Sequence, residues 1–339
     1  MGITVVNDLR EEQWYQFVQE HPAGNIFHTP EMFQVFSRAK GHQPKLWAAV
    51  TTDGGSRQPL ALMLPVQVTL MNGLLYGFTT RAILYGSVLA APGPQGRQAL
   101  AVLLKAYRQA MRGKILFTEL RNLADLNDLQ PVLNEHEFVY EDHLNYLIDL
   151  DQSEEAIWQN FNKSGRQSVR TSRNKGTVVE EVTDREKVAV AYSLLCNVYT
   201  RVQVPLADLS LFEAAFDILG SRDMFKIFMA RVGEEYVGTC VLLIYNGRIL
   251  YWYAGSDRAF SAYAPAELLI WHTLQWGQQQ NFLLFDFGGA GKPDEEYGPR
   301  NFKAKFGGRL VNYGRNTCIH APLRLKFSQT GYQLMRKFL

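Results

Sequence analysis

The stretch that decides the fold reads ILYWYAGSD (249–257), YAPAELLIWHTLQWGQQQ (263–280), LLFDFGG (283–289) and NFKAKFGG (301–308). The first run is aromatic and β-branched and ends in a Gly-Ser-Asp turn signal, which predicts a strand. The second repeats apolar residues at helical spacing, which predicts a helix. The third is a short apolar run closed by Gly288 and Gly289, which predicts a buried strand. In the fourth, alternation predicts an extended segment with Lys303 and Lys305 on the face opposite Ala304.

The same order of elements occurs earlier in the chain. KLWAAVTTDGGSRQPLALMLPVQV (45–68) and FKIFMARVGEEYVGTCVLLIY (225–245) both read strand, glycine turn, strand. A third strand follows each, LLYGFTTRAILYGSVLA (74–90) and RILYWYAGS (248–256). A helix comes next, Gly96 to Arg112 and Ala264 to Gln280, then a short strand, 115–120 and 283–288. The offset is roughly 170 residues, which predicts two copies of one α+β unit. Helical patterns precede both sheets, at 11–21 and 30–41 in the first half and at 184–202 and 209–220 in the second. The expected domains are 1–150, completed by the tail 316–339, and 151–315, with VYEDHLNYLIDL (139–150) as a connecting strand.

Composition narrows the functional classes. The chain has 339 residues, 47% of them apolar, enough for two cores. Lys plus Arg number 35 against 33 acidic residues, a net charge of +2, which does not describe a general DNA binder. Three dispersed cysteines and seven scattered histidines form no disulfide framework and no metal signature. The N-terminal MGITVVNDLR shows no basic segment followed by an apolar one, and no apolar run is long enough to span a bilayer. A cytoplasmic location is expected. Gly291-Lys292 is followed by Pro293, so it is not a nucleotide-binding loop.

Four groups of residues can carry chemistry. In NKSGRQSVRTSRNKG (162–176), Lys163, Arg166, Arg170 and Arg173 share one helical face, and no acidic residue lies between Glu155 and Glu180. Such a face suits phosphate, or it is a solvated surface. Tyr251 and Tyr253 fall on one side of a strand, as a wall for a polar substrate or as cross-strand packing. Asp286 ends a buried strand, where α/β sheets place functional groups, or it caps the turn that follows. Lys303 and Lys305 lie between Phe302 and Phe306, where a cation can stabilise an oxyanion or guard a sheet edge.

These motifs resemble the second domain of the FemABX-like aminoacyltransferases, a branch of the GNAT acyltransferase superfamily. The residues that carry the resemblance are Tyr251-Trp252-Tyr253-Ala254-Gly255, the basic helix ending in Lys175-Gly176, and Phe302-Lys303 before Phe306-Gly307. The resemblance covers roughly residues 155 to 310, and the first half only by architecture. It implies two tandem GNAT-like domains with a cleft between them and no coiled-coil arm. It implies transfer of an activated acyl or aminoacyl group to an amine of a cell-envelope precursor, such as a peptidoglycan intermediate. Lys303 is then the catalytic residue, with Tyr251, Tyr253, Asp286, Lys305, Arg166, Arg170 and Arg173 binding substrate. The donor is aminoacyl-tRNA or acyl-CoA, no cofactor is tightly bound, and a peripheral position at the inner membrane face fits such an acceptor. The alternative is an acyl-CoA-dependent N-acyltransferase acting on an amino sugar or other small amine. The usual acetyl-CoA loop is not matched, because Ser261-Ala262-Tyr263-Ala264-Pro265-Ala266 contains no glycine. Two anchors of the compact family members are also missing: 206–212 lacks their Arg and Tyr, and Gln34 or Val35 stands where the first-domain basic residue is expected.

Overall fold

The computed structural model describes residues 2–53, 56–69 and 76–328. Gly54 and Gly55 of the first expected turn, Leu74 and Leu75 of the third expected strand, and 329–339 of the expected tail lie outside the described residues. The chain divides into two compact mixed α/β units, Met1–Asp142 with the chain from Tyr313 onward, and His143–Asn312.

The first unit runs β1 (Ile3–Val6), α1 (Glu11–Glu20), α2 (Pro30–Arg38), β2 (His42–Pro44), β3 (Trp47–Asp53), β4 (Ser56–Met63), β5 (Val66–Thr69), α3 (Tyr76–Thr79), β6 (Thr80–Leu84), β7 (Val88–Ala90), α4 (Pro94–Met111), β8 (Phe117–Arg121), α5 (Gln130–Glu135) and β9 (Val139–Glu141). One sheet has the order β1-β3-β4-β7; the other is β2-β5-β6-β8, then the returning strand Arg315–Ile319, then β9. The third expected strand breaks at Tyr85–Ser87: β6 pairs in parallel with β8, and β7 pairs antiparallel with β4. Ser87 turns the chain at φ +69. α4 lays Leu100, Leu103, Leu104 and Tyr107 on the core, where each large apolar side chain is worth roughly 1.5–3 kcal/mol of burial.

The second unit runs β10 (Leu144–Asp149), α6 (Glu154–Asn160), α7 (Lys163–Asn174), β11 (Val178–Glu181), α8 (Glu186–Arg201), α9 (Leu209–Leu219), β12 (Phe225–Val232), β13 (Glu235–Tyr245), β14 (Arg248–Ser256), α10 (Pro265–Gln279), β15 (Leu284–Asp286), α11 (Gly298–Lys303) and β16 (Arg309–Asn312). Its single sheet has the order β11-β12-β13-β14-β15-β10-β16, and only β14 and β15 pair in parallel. The repeat read from the sequence is visible here. In each unit a meander strand leads through a long helix, α4 or α10, to a short parallel neighbour, β8 or β15.

Three local expectations are corrected. The segment 139–150 is not one strand: β9 closes the first unit and β10 opens the second sheet by pairing with β15 and β16. The units therefore meet at 142/143 and 312/313, not at 150/151 and 315/316. The segment 301–308 is not extended, because α11 carries into a 3-10 turn, Ala304–Phe306. Pro299 suits the first turn of α11, and Phe302 and Phe306, four apart, meet with ring centroids 5.2 Å apart, as helical neighbours do.

The third correction concerns the two tyrosines. β13 and β14 slip register at a bulge, so Tyr251 pairs with Leu242 and Tyr253 with the adjacent Val241. An extra residue in one strand turns its following side chains to the other face. Tyr251 accordingly meets Phe285 and Phe287, while Tyr253 meets Tyr199 of α8 and Phe212 of α9.

Candidate active site

The parallel pairing of β14 and β15 covers only Arg248–Leu250 against Leu284–Asp286. Beyond Leu250, β14 stays with β13 as far as Ser256. The chain after β15 turns instead to β10: Phe287 N donates to Tyr146 O at 3.1 Å, and Leu144 N to Gly291 O at 2.8 Å. The two strands thus part at Tyr251, and the loop 287–291 lines one side of the opening. Gly288 makes the turn at φ +78, with Asp286 Oδ1 accepting from its N–H at 2.7 Å. A Cβ at Gly288 would stand 3.3 Å from Tyr251 O, so the loop runs close under β14.

Lys303 reaches this loop from the end of α11. Its Nζ donates to Phe287 O at 2.8 Å and to Gly289 O, and lies 5.6 Å from the Phe287 ring centroid. Burial lowers its pKa to about 8, partly offset by the attraction of Asp286. Asp286 is itself buried, and burial raises its carboxyl above the usual range against the opposing hydrogen bonds from Asn145 and Gly288. Asn145 Nδ2 donates to Asp286 Oδ1 at 2.7 Å. A cation fixed on two carbonyls at the point where a sheet opens can receive the negative charge that grows on an acyl oxygen.

The structure brings Lys303, Asp286 and Tyr251 together around 286–289. Tyr251 is half-buried, and desolvation of its phenol drives it well above the ordinary value. It places Tyr253 elsewhere, on the α8–α9 face, where burial pushes its neighbour Tyr199 up to about 12. Lys305 turns from Lys303 to Glu267 in the first turn of α10, an ion pair at 3.0 Å.

Asn162 Oδ1 caps α7 by accepting from Gly165 N at 2.8 Å. Gly165 is needed there, because a Cβ would meet Lys305 O at 2.7 Å. The basic face borders α6 and α10. Arg166 donates to Gln159 O at 3.1 Å and to Phe161 O, closing the end of α6. Arg170 lies over Trp158 at 5.7 Å, and Arg173 donates to Gln275 Oε1 at 3.1 Å. Among the described residues none of the three is in an ion pair, and Arg170 and Arg173 are exposed.

Sequence reasoning missed Asn145, His143 and Glu267. A Cβ at Gly289 would stand 3.1 Å from His143 Nε2, so the imidazole lies against the loop that Lys303 binds. Residues at the start of β10 reach the loop after β15 only through strand pairing, and no local motif signals that. The first turn of α10 is poorly built for phosphate. Pro265 lacks an N–H, Ala264 sits left-handed at φ 47, and Glu267 brings a negative charge to the helix N-terminus. Among the described residues no His, Cys, Asp and Glu cluster could hold a metal ion, and no helix is long and apolar enough to cross a membrane.

Residues 163–303 match the family model described as an acetyltransferase (GNAT) domain. Compared by sequence with the curated proteins, the chain has no significant match. Solved structures share its fold over nearly its whole length. FemX aligns with a TM-score of 0.71 at 16% identity, over 97% of this chain and 100% of its own. L-PGS from Bacillus licheniformis gives 0.58 at 13%, over 96% of each chain. A tandem GNAT protein from the clavulanic acid biosynthesis pathway gives 0.58 at 13%, over 95% of this chain and 99% of its own. Residues 163–303 thus match a GNAT acetyltransferase domain, in a chain whose fold FemX and the tandem GNAT protein share over nearly its whole length.

Proposed function

We propose that the protein transfers an aminoacyl group from an aminoacyl-tRNA ester to an amine of a cell-envelope precursor, with Lys303 as the catalytic residue. The observation that carries this reading is the Lys303 ammonium on Phe287 O and Gly289 O, at the mouth of the β14–β15 opening. The attacking amine adds to the ester carbonyl, and the carbonyl oxygen gains a full negative charge. A cation already in position acts on that charge without reorganising. Asp286 offsets the cost of burying the ammonium, and Tyr251 walls the opening from water. Arg170 and Arg173 offer charge to a phosphate backbone.

The choice of an ester donor over acyl-CoA rests on α10. Pro265, left-handed Ala264 and the Glu267–Lys305 pair fill the helix start, where a GNAT pyrophosphate would need free N–H groups. The match of 163–303 to the acetyltransferase domain favours the second reading, acyl-CoA-dependent acylation of an amino sugar or other small amine. A screen decides between them. Total tRNA charged with radiolabelled amino acids, and labelled acetyl-CoA, are each offered with a bacterial extract of nucleotide-linked envelope precursors. Base-stable amide label from the charged tRNA supports the proposal. Label from acetyl-CoA alone refutes it in favour of the second reading.

A further inference from the structure

Leu323, at 75%, and Phe327, at 70%, are the most exposed large apolar side chains among the described residues. They lie four apart on one helix, over 322–328, in the chain that returns to the first unit. Single exposed apolar residues are ordinary on a protein surface, but a pair at i and i+4 makes a stripe. Leu325, about half a turn from the centre of that stripe, is half-buried. The helix thus turns its smaller apolar share to the protein and its larger share to water.

Cations are arranged around the stripe. At about 100° per residue, Arg324 and Lys326 fall on either side of it, each roughly 80° from its centre. Arg324 is held in place: its Nη1 donates to Gly113 O at 2.7 Å, and Gly113 N donates to His320 O at 3.2 Å. Arg112 and Lys114, the neighbours of Gly113, are exposed. A Cβ at Gly77 would stand 3.2 Å from the same Arg324 Nη1, which brings the exposed Phe78 next to this corner of the first unit. No Asp or Glu occurs after Glu296. Beyond the helix the sequence QTGYQLMRKFL (329–339) keeps the same composition, with Leu334, Met335, Phe338 and Leu339 around Arg336 and Lys337.

We infer that this corner of the first unit docks on an anionic lipid bilayer, with Leu323 and Phe327 entering the boundary between headgroups and acyl chains. Arg324 and Lys326 then lie at the depth of the lipid phosphates, with their stems along the apolar stripe. Arg112 and Lys114 add charge that an anionic leaflet attracts. An apolar groove on another protein would take the Leu323–Phe327 stripe but would leave the flanking cations unmatched. The inference does not depend on the acyl-transfer reading, and its test uses no substrate, so either can fail without the other.

The whole chain is sedimented with sucrose-loaded vesicles of mixed phosphatidylglycerol and phosphatidylcholine, and with vesicles of phosphatidylcholine alone, across a salt series. Binding is expected to the mixed vesicles, weakening as salt rises, and far less to phosphatidylcholine alone. The double variant Leu323→Ser, Phe327→Ser should lower partitioning roughly tenfold or more. The double variant Lys114→Gln, Lys326→Gln should bind less tightly and with a flatter salt dependence. All four side chains are exposed, so both variants should melt at the wild-type temperature. No sedimentation with the mixed vesicles overturns the inference, and so does undiminished binding by the Leu323→Ser, Phe327→Ser variant. Equal binding to both vesicle types overturns the role of the cations. Self-association that the apolar double variant abolishes, without vesicle binding, assigns the stripe to a second copy of this chain instead.

Discussion

Asn145 Nδ2 donates to Asp286 Oδ1 at 2.7 Å, joining residues 141 positions apart in the chain. The bond ties the strand that opens the second unit to the strand whose loop carries both acceptors of Lys303. It also satisfies a carboxyl that burial would otherwise leave short of partners.

Asn145→Ala should therefore destabilise the protein by about 1–3 kcal/mol, the cost of leaving a buried polar group unsatisfied. A urea denaturation curve measures it, with the slope unchanged. A midpoint indistinguishable from wild type would mean that water replaces the amide and that the bond does not hold the loop.

The pH dependence follows from Lys303. Its folded pKa is lowered from 10.5 to about 8, so the ammonium is fully present below pH 8 and is lost as pH rises through that value. Turnover should fall on an alkaline limb near pH 8. Stability should run the other way. Between about 8 and 10.5 the unfolded chain holds more protons, so this residue makes the fold more stable as pH rises. Lys303→Arg keeps its charge over this range and should shift the alkaline limb of turnover upward. A limb left in place by that change would belong to another group.

How far the sequence could be read is clear from these residues. The strand–helix–strand order and its repeat were legible because periodicity and turn residues encode them locally. Lys303 and Asp286 were legible as candidates from their flanking glycines and aromatics. What escaped depends on register. One inserted residue in the β13–β14 pairing sends Tyr251 and Tyr253 to opposite faces, and no composition signal marks it. The spacing of Phe302 and Phe306 fits helix as well as alternation, and packing against Phe161 and Phe287 decided for helix. His143 and Asn145 sit in the site only because β10 lies beside β15.

The basic helix should separate into two behaviours. Arg166 closes the end of α6 through Gln159 O and Phe161 O, so Arg166→Gln should lower the melting temperature. Arg170 and Arg173 are exposed and in no ion pair among the described residues. The double variant Arg170→Gln, Arg173→Gln should leave stability nearly unchanged and weaken charged-tRNA binding. It should also flatten the salt dependence by about 0.7 in log–log slope per lost contact with single-stranded RNA. Affinity unchanged across a salt series would return this face to the role of a solvated surface.

The decisive substitution is Lys303→Met, which keeps the length of the side chain and removes the charge. If the ammonium serves the transition state, its loss should cost roughly 10²–10³ in turnover, by analogy with an oxyanion-hole donor, with KM little changed. Removing a buried charge also relieves a desolvation cost, so the variant should fold at least as well as wild type, and lost activity cannot be put down to unfolding. Lys305→Met is the control. It breaks the 3.0 Å pair with Glu267 and leaves that carboxylate largely buried, so it should cost stability and only a small factor in turnover. The two lysines are two residues apart in sequence and serve different partners, and their variants should fail in different assays. If both lose turnover alike, the Glu267–Lys305 pair shares in catalysis; if Lys303→Met turns over normally, the cation on Phe287 O and Gly289 O is a structural clamp and the catalytic assignment falls.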